Sequence, residues 1–372
     1  MKKWMMGFLL LWTSAFACTA FQLRSEDGAI LYCRSMEFGL RMNSDLLIVP
    51  RQTSFTGTAP EGTPGKKWVS KYGYIGMNQA FARTLVSDGM NEQGLVVGML
   101  YLPGFAKYET PDSTKQDQTL GPWELSGFLL STCKDLHDVQ AVLPTLLVAQ
   151  QPVPGLGDFV IPLHYYISDK SGDVIVVEYV DGKRNIHRNP LHALTNSPTF
   201  DWHLINLGNF THLSPINVPP LQISDYTIRG FGQGSGLLGI PGDYTPPSRF
   251  VKAVFFSNWA DKQKTASEGV RQGFHLLNTF DIVEGLVKSS SKGNYAELTE
   301  WALIHDMTNL QTYFRTYDSL QIQKVDLNKI DFKTPGFRKI DLKKEFGVID
   351  STDTSQPLPN PAENAPLPLK TS

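Results

Sequence analysis

The sequence predicts an α+β fold with layered, mostly antiparallel sheets. Segments with strand-like patterns come in blocks separated by blocks of helix-like segments, whereas a doubly wound parallel sheet alternates strand and helix one by one. The chain has 372 residues, of which 41% are hydrophobic and 11% aromatic, so it can bury a large core. We expect residues 18–350 to form one domain, because no linker-like segment interrupts them.

The first element predicted is a β-hairpin. The apolar segments 21–23 and 30–32 flank Asp27-Gly28, a dipeptide typical of two-residue hairpin turns. Counting outward from a two-residue turn sets Cys18 opposite Glu37, with Arg34 on the other face. The sequence therefore predicts a carboxylate across from Cys18.

Later segments follow the same block pattern. Apolar spacing predicts strands at 46–49, 80–86, 95–100, 164–168, 174–179, 301–305 and 311–317. It predicts helices at 123–132, 136–147, 249–258 and 269–277, with Asp135 as a possible cap of the second. The Gly- and Pro-rich segment 206–247 is long for a connection and indicates a functional loop or an assembly surface. Residues 351–372 are Pro-rich and predict a disordered tail.

The first 17 residues have the layout of a secretory signal peptide. Lys2 and Lys3 precede an apolar stretch at 4–12, and Ala15-Phe16-Ala17 fits the small-x-small cleavage rule. Cleavage after Ala17 would make Cys18 the first residue of the mature chain. We therefore expect an exported protein, periplasmic or secreted, with no later apolar run long enough to span a membrane.

Charge and cysteine content exclude several classes of function. The 34 basic and 36 acidic residues give a net charge of -2 with no long run of either sign, which predicts no nucleic-acid partner. Cys18, Cys33 and Cys133 are too few for a disulfide framework or a cysteine-based zinc site. Cys33 and Cys133 can pair in an oxidising compartment, although two buried free thiols are the favoured interpretation. We predict no metal and no organic cofactor.

Cys18 has two incompatible chemical roles open to it. It can be a lipid anchor with an acylated amine, or a nucleophile activated by its own free α-amine. An α-amine has a pKa near 7.7–8.0 and a thiol near 8.5, so the proton passes between them at little cost. Arg34 could then stabilise the thiolate and Glu37 could orient the amine, or the two could form an ordinary surface ion pair.

Further motifs distinguish these roles because they occur together and in order along the chain. They are Cys18-Thr19, Arg34-Ser35-Met36-Glu37-Phe38, Asn91-Glu92-Gln93-Gly94-Leu95, Leu194-Thr195-Asn196-Ser197-Pro198-Thr199-Phe200-Asp201, Gly239-Ile240-Pro241-Gly242-Asp243 and Pro247-Ser248-Arg249-Phe250. With these motifs the sequence resembles the choloylglycine hydrolase family of N-terminal-nucleophile (Ntn) hydrolases, which contains bile salt hydrolases and penicillin V acylases. The resemblance implies a four-layer αββα sandwich.

The resemblance also implies roles for individual residues. Cys18 matches the nucleophile, Arg34 the arginine beside it, Asn196 an oxyanion-hole amide and Arg249 a second arginine of the site. A backbone N–H near Tyr101 would complete the oxyanion hole. Tyr101 stands where bile salt hydrolases usually carry asparagine and penicillin V acylases tyrosine, which favours a phenoxyacetyl or fatty-acyl amide, such as an N-acyl homoserine lactone, as substrate.

Glu37 departs from the family pattern, which has aspartate at this position. The hairpin count also conflicts with the resemblance, because it puts Arg34 on the face opposite Cys18. Either a bulge changes the register or Arg34 approaches from the strand end. The alternatives to an acylase are a conjugated bile salt hydrolase and a lipid-anchored binding protein without activity, and the resemblance implies assembly into a homotetramer.

Overall fold

The computed structural model describes residues 18–39, 41–79, 82–153, 157–288, 296–342 and 345–354. The predicted signal peptide at 1–17 and residues 355–372 of the predicted tail lie outside these ranges. Among the described residues, no helix is both long and apolar enough to cross a membrane.

The described part of the chain forms strands and helices in blocks. The strands of its first half are β1 (Cys18–Arg24), β2 (Ile30–Phe38), β3 (Asp45–Val49), β4 (Ser54–Thr58), β5 (Pro64–Val69), β6 (Tyr74–Gln79), β7 (Ala82–Asn91), β8 (Val96–Tyr101), β9 (Thr119–Leu120) and β10 (Leu147–Val148). Those of its second half are β11 (Leu163–Ser168), β12 (Val174–Val180), β13 (Lys183–Arg188), β14 (Leu221–Ile223), β15 (Tyr226–Ile228), β16 (Val287–Lys288), β17 (Ala296–Asp306), β18 (Gln311–Thr316), β19 (Gln323–Asp326) and β20 (Arg338–Asp341). The α-helices are α1 (Leu125–Thr132), α2 (Leu136–Val142), α3 (Phe200–Asn206), α4 (Pro246–Trp259) and α5 (Ala266–Asn278).

Two antiparallel sheets form the centre of the molecule. The first runs in the order β1-β2-β17-β18-β19, with β16 paired to β17. The second runs in the order β13-β12-β11-β8-β7-β6-β3-β20. Both combine strands from distant parts of the sequence, so neither sheet is complete until the chain has returned from its helical segments.

Helices cover the outer faces of both sheets. Helices α4 and α5 pack on β1, β2 and β17 of the first sheet, whereas α1 packs on β7 and β8 of the second. The inner faces meet each other: the Tyr32 and Tyr166 rings, one from each sheet, lie 4.9 Å apart. The predicted four-layer αββα architecture with antiparallel sheets is therefore confirmed.

The predicted register of the first hairpin is wrong by one residue. The Ser25 N–H donates to Ala29 O at 3.1 Å, so three residues rather than two form the turn. Gly28 closes it with a φ of 89°, a conformation that glycine adopts without strain. Cys18 consequently pairs with Met36 instead of Glu37.

The change of register reverses the two faces of the hairpin. Directly opposed residues of an antiparallel pair lie on the same face, and Ala20 pairs with Arg34. Cys18 and Arg34 therefore share the face towards the second sheet, while Glu37 lies on the face towards the helices. The conflict over Arg34 disappears without a bulge in this hairpin.

The predicted helix at 136–147 is shorter than expected. Asp135 caps α2 as predicted, because its side chain accepts from the Asp138 N–H. The α-helix ends at Val142, and a short 3₁₀ turn at Leu143–Thr145 follows. Pro144 explains the change, since it has no N–H to continue the helical pattern.

The three cysteines agree with the favoured interpretation that Cys33 and Cys133 are free thiols. Cys18, Cys33 and Cys133 are all buried and unpaired. Cys33 faces α5, where its sulfur lies 3.1 Å from the position a Cβ would take at Gly273. A small residue at this point lets the helix approach the sheet closely.

Candidate active site

The edge of the first sheet brings Asn196 to Cys18. Strand β1 has β2 on one side only, and residue Leu194 pairs with Ala20 on the other through two backbone hydrogen bonds of 2.8 and 2.9 Å. In this antiparallel pairing, moving two residues along each segment sets Asn196 opposite Cys18. The Cys18 nitrogen accordingly donates to Asn196 Oδ1 at 2.7 Å.

The Cys18 thiol points between the two sheets and contacts Arg34. Arg34 Nη2 lies 3.6 Å from Cys18 Sγ and also donates to Met99 O at 2.5 Å. Met36 Sδ lies 3.4 Å from the thiol. Burial raises the pKa of the Cys18 thiol, and the Arg34 charge opposes this only in part. The thiol therefore needs a base to become a nucleophile at neutral pH.

Asn196 joins the nitrogen of Cys18 to its surroundings through three hydrogen bonds. Its Oδ1 accepts from Cys18 N and from Arg249 Nη2, the latter at 2.8 Å. Its Nδ2 donates to Tyr101 O at 2.9 Å. Two donors at the oxygen fix the orientation of the amide, because a reversed amide would set N–H groups against the Arg249 guanidinium.

Arg249 reaches Cys18 from the helical layer. It lies in the first turn of α4 and is fully buried. Its Nη1 donates to the Cys18 carbonyl oxygen and, at 2.9 Å, to Thr19 Oγ1, and its Nε donates to Tyr244 O at 2.9 Å. One guanidinium thus holds the backbone of Cys18 and the side chain of Asn196 together.

Glu37 does not take the position expected from the sequence. It is buried on the helical face of β2, and neither carboxylate oxygen has a hydrogen-bond partner among the described residues. Burial raises the pKa of Glu37 to about 8, although the nearby Arg249 charge opposes the shift. The acceptor for the Cys18 nitrogen is therefore the Asn196 amide oxygen.

A largely apolar pocket opens over the Cys18 thiol. Besides Cys18, it is lined by Met36, Phe38, Gln79, Leu85, Ser87, Met99, Tyr101, Trp123, Val153, Ile161 and Leu163. Tyr101 contributes both to this wall and, through its carbonyl oxygen, to the position of Asn196. Such a cavity suits an apolar group attached to a carbonyl that reaches the thiol.

The chain matches the model of a known protein family over most of its length. The model described as "Linear amide C-N hydrolases, choloylglycine hydrolase family" matches residues 18–345. The chain belongs to the choloylglycine hydrolase family. The match begins at Cys18, the residue whose thiol faces the apolar pocket.

Individual relatives within the choloylglycine hydrolase family have both predicted activities. A bile salt hydrolase/transferase of Clostridium perfringens is 30% identical over 316 residues, which is 84% of this chain and 93% of the relative. A penicillin V acylase of Pectobacterium atrosepticum is 28% identical over 368 residues, or 92% and 89% of the two chains. The crystal structure of a mutant conjugated bile acid hydrolase from Clostridium perfringens superposes with a TM-score of 0.79 at 28% identity, covering 90% of this chain and 99% of that one.

The site of this family member includes a network that the sequence did not reveal. Asp88 Oδ2 accepts from Arg34 Nη1 at 2.8 Å and from Tyr32 Oη at 2.7 Å. Asp88 Oδ1 lies 3.0 Å from His305 Nε2, and His305 Nδ1 lies 2.7 Å from Thr312 Oγ1. These contacts fix the charge and direction of the Arg34 side chain.

Gly98 is the one trace of this network in the sequence, because it marks a close packing contact. A Cβ at Gly98 would lie 2.4 Å from Tyr32 Oη and 2.8 Å from Asp88 Oδ2, so only glycine fits between them. Gly98 lies in β8, three residues before Tyr101. The sequence contains this glycine, but the contact joins strands of different sheets and cannot be read from spacing alone.

His203 is a second residue that the sequence did not single out. It lies in α3, and its Nε2 is 2.8 Å from Asn196 O. Burial lowers the pKa of His203 to about 4, so the imidazole is neutral near pH 7. It supports the backbone of Asn196 and carries no charge towards Cys18.

One group of possible metal ligands occurs among the described residues, away from Cys18. The ligand atoms of Asp135, His137 and Asp138 all lie within 4.8 Å of one another. Asp135 and Asp138 are already used at the start of α2, where they accept from the Asp138 and Lys134 N–H groups. This cluster is explained by helix capping.

Proposed function

We propose that this protein hydrolyses acyl amides with Cys18 as nucleophile and the Cys18 α-amine as base. The observation that supports this most directly is the contact of the Cys18 nitrogen with Asn196 Oδ1 while its thiol faces the apolar pocket. The proposal requires removal of residues 1–17, which frees the amine. It also includes export of the protein to the periplasm or the medium.

The first half of the reaction forms a thioester. The α-amine takes the proton of the thiol, and Sγ attacks the carbonyl carbon of the amide to give a tetrahedral intermediate. The ammonium then gives that proton to the leaving nitrogen, so the C–N bond breaks and the amine departs. The acyl group remains on Cys18 Sγ.

Water completes the reaction in the second half. The α-amine, again unprotonated, takes a proton from water, and the resulting hydroxide attacks the thioester carbonyl. The C–S bond breaks, the thiolate takes back the proton, and the carboxylic acid leaves. The same amine serves both halves because it lies on the nucleophile's own Cα.

Asn196 is the proposed donor to the oxyanion. Its Nδ2 has two hydrogens, one of which is directed at Tyr101 O, and the second is available for negative charge near Sγ. The family resemblance implies a second oxyanion donor, a backbone N–H near Tyr101. The Leu102 N–H is not that donor in this structure, because it already donates to Pro162 O at 2.9 Å. Arg34 stabilises the developing thiolate, and Arg249 keeps Asn196 in place.

The apolar pocket favours an acyl group of the penicillin V or fatty-acyl type as substrate. Its wall offers aromatic and aliphatic side chains, including Tyr101 and Trp123, and few polar groups. N-acyl homoserine lactones combine an apolar chain with a linear amide and are a natural candidate. Rates on penicillin V, a long-chain acyl homoserine lactone and glycocholate, measured side by side, test this choice.

A conjugated bile salt hydrolase is the second candidate. The observation that favours it is the 30% identity to the Clostridium perfringens bile salt hydrolase/transferase. In the comparison of three substrates, a clear preference for glycocholate would overturn the acylase proposal in its favour.

Replacement of the nucleophile tests the mechanism. We expect Cys18→Ala to reduce kcat by about 1000-fold or more on every amide substrate, because no other group supplies the nucleophile. Cys18→Ser should leave a folded and much slower enzyme. Cys133→Ala is the matched control, since it removes a buried thiol outside the site. Normal turnover by Cys18→Ala would refute the mechanism.

A lipid-anchored protein without activity is the remaining alternative. Mass spectrometry of the mature N-terminus separates the two, because a diacylglyceryl group on Cys18 together with a blocked amine excludes the proposed base. The proposal predicts an unmodified N-terminal Cys18.

The segment 206–247 supports assembly into a homotetramer. Strands β14 and β15 form a small hairpin whose apolar side chains are exposed, and Phe231 beside it is fully exposed. A patch of this kind usually contacts another protein surface, and we propose a second copy of this chain. Light scattering should give a tetramer for the wild type and a smaller species for Phe231→Ser.

A further inference from the structure

We propose that an aromatic cavity next to the Cys18 pocket, the distal compartment, binds the distal part of a long acyl chain. Five aromatic residues line the distal compartment, namely Phe55, Trp68, Tyr74, Trp123 and Phe337, and its lining also includes Leu85, Glu124 and Gly127. The proposal rests on the proposed amide hydrolysis at Cys18 and adds a second binding site to it.

The distal compartment and the Cys18 pocket share a wall. Leu85 and Trp123 line both cavities, so they are the boundary between them. The distal compartment is the larger of the two cavities. A chain attached at Cys18 that outgrows the first pocket would pass between Leu85 and Trp123 into the second.

The walls of the distal compartment are aromatic and well supported. The Phe55 and Trp68 rings are stacked with centroids 5.1 Å apart, and Phe337 meets Phe55 edge-on at 6.2 Å. Trp68 Nε1 donates to Ser131 Oγ at 3.0 Å, so the indole presents its apolar part to the cavity. Rigid aromatic walls of this kind suit methylene groups.

The one carboxylate of the lining is already bonded to the protein. Glu124 accepts from the Thr58 N–H at 2.9 Å, from Thr58 Oγ1 at 2.7 Å and from the Gly121 N–H at 2.8 Å. These bonds hold β4 to the start of α1. Glu124 is therefore a structural group here, and the aromatic side chains are the part of the lining that would contact an apolar chain.

Gly127 gives a direct way to fill the distal compartment. It lies within α1, and a Cβ at this position would lie 3.3 Å from Tyr74 Oη. A leucine here would extend into the cavity, and leucine favours a helix more than glycine does. Gly127→Leu should thus shorten the acyl-binding space without removing any residue of the Cys18 site.

A chain-length series tests the proposal. The substrates are N-acyl homoserine lactones from butanoyl to tetradecanoyl, and the measured quantities are kcat and KM. For the wild type we expect kcat/KM to rise by about fourfold for each methylene that enters the distal compartment. Gly127→Leu should remove this rise for the long chains through KM, and should leave the butanoyl substrate unchanged.

A matched pair of phenylalanine variants controls for general effects. Phe337→Ala removes part of the wall of the distal compartment and should weaken only the long-chain substrates. Phe346→Ala removes an exposed phenylalanine that lines neither cavity, and should change none of them. An equal loss on all chain lengths in Gly127→Leu, or a flat chain-length profile in the wild type, would overturn the proposal.

Binding without turnover separates this proposal from the proposed function. Calorimetry with Cys18→Ala measures the Kd of the tetradecanoyl and butanoyl compounds directly. If the wild type hydrolyses no amide while Gly127→Leu still weakens tetradecanoyl binding in the Cys18→Ala background, the distal compartment stands and the hydrolase proposal falls. If hydrolysis occurs but tetradecanoyl binding is insensitive to Gly127→Leu, the proposed role of the distal compartment falls.

Discussion

The two faces of the β1–β2 hairpin differ in how their buried ionisable side chain is paired. On the face towards the second sheet, Arg34 is paired with Asp88 at 2.8 Å, and both side chains are fully buried. On the face towards the helices, Glu37 is equally buried, but its carboxylate has no hydrogen-bond partner among the described residues. One face holds a buried ion pair in direct contact, and the other holds a buried acid whose pKa is raised because the nearby Arg249 charge does not offset its burial.

The difference indicates that the two faces have separate roles around Cys18: one fixes side-chain positions, and the other responds to pH. A buried ion pair held by several hydrogen bonds fixes the positions of its side chains. A carboxyl group whose burial outweighs its favourable contacts stays protonated to a higher pH, which makes its surroundings sensitive to pH. The Cys18 thiol lies on the face that carries the Arg34–Asp88 ion pair. Asn196 and Arg249 connect Cys18 to the face that carries Glu37.

Among the substitutions that test this comparison, we expect the strongest loss of activity at Asn196, which contacts both Cys18 and Arg249. Asn196→Ala removes the acceptor of the Cys18 nitrogen and the proposed oxyanion donor. We expect kcat to fall by about 100- to 1000-fold. Steady-state kinetics measures this, with the exposed Asn209→Ala as control. A folded Asn196→Ala variant with wild-type kcat would contradict the role of Asn196.

The next largest effect is expected when the ion pair on the face towards the second sheet is broken. Asp88→Asn keeps the shape of the side chain but leaves the Arg34 charge buried without its partner. We expect a loss of about 3–5 kcal/mol in the free energy of unfolding, measured by urea denaturation. Activity should fall by about 10- to 100-fold, because Arg34 no longer has a fixed position at the thiol.

Asp45→Asn is the control for this variant, since Asp45 pairs with Lys339 at 3.2 Å on the surface of the second sheet. It should change stability by less than about 1 kcal/mol. Equal stability of Asp88→Asn and Asp45→Asn would show that the inner ion pair does not fix the site.

A smaller, pH-dependent effect is expected on the outer face. The pKa of Glu37 is about 8 in the folded protein against 4.5 for an ordinary glutamate, so the folded state retains a proton that the unfolded state loses. The contribution of Glu37 to the free energy of unfolding should therefore fall as pH rises from about 4.5 to about 8. Glu37→Gln mimics the protonated acid and should be more stable than the wild type above about pH 8, with little difference near pH 4.

Thermal denaturation across this pH range measures the effect, with the exposed Glu61→Gln as control. Glu37→Gln should also keep most of its activity near pH 6, where the wild-type acid is protonated. A nearly complete loss of activity at that pH would restore the sequence-based role of Glu37 at the amine.

The smallest effect concerns one hydrogen bond of Arg249. Thr19→Val removes the Oγ1 acceptor but leaves the contacts of Arg249 with the Cys18 carbonyl and Asn196. We expect a loss of about 1–2 kcal/mol in the free energy of unfolding, and a modest decrease in kcat. Thr352→Val, at an exposed position, should change neither. Full retention of stability would mean that the other contacts suffice for Arg249.

The sequence predicted the parts of the site that local pattern and family resemblance can reach. Cys18, Arg34, Asn196 and Arg249 are brought together, although they span more than 200 residues of the chain. The layered fold followed from the order of blocks. Strand register did not follow, because Asp27-Gly28 also fits a three-residue turn once Ser25 pairs with Ala29.

Contacts between the sheets could not be predicted. Asp88 and His305 lie in β7 and β17, in different sheets, and their partnership depends on how the sheets are stacked. The position of Glu37 was missed for a related reason, since a shift of one residue moves every side chain to the other face. Pairing across layers is a property of the assembled core.

Trapping of the acyl intermediate tests directly whether Cys18 is the nucleophile. The mature protein is mixed with an acyl amide, quenched in acid within its first turnovers, digested and analysed by mass spectrometry. Acid keeps the α-amine protonated, so the acyl group stays on sulfur. We expect an acyl thioester on a peptide that begins at Cys18 with a free amine. Turnover with an unmodified Cys18 peptide, or with a blocked amine, would contradict it.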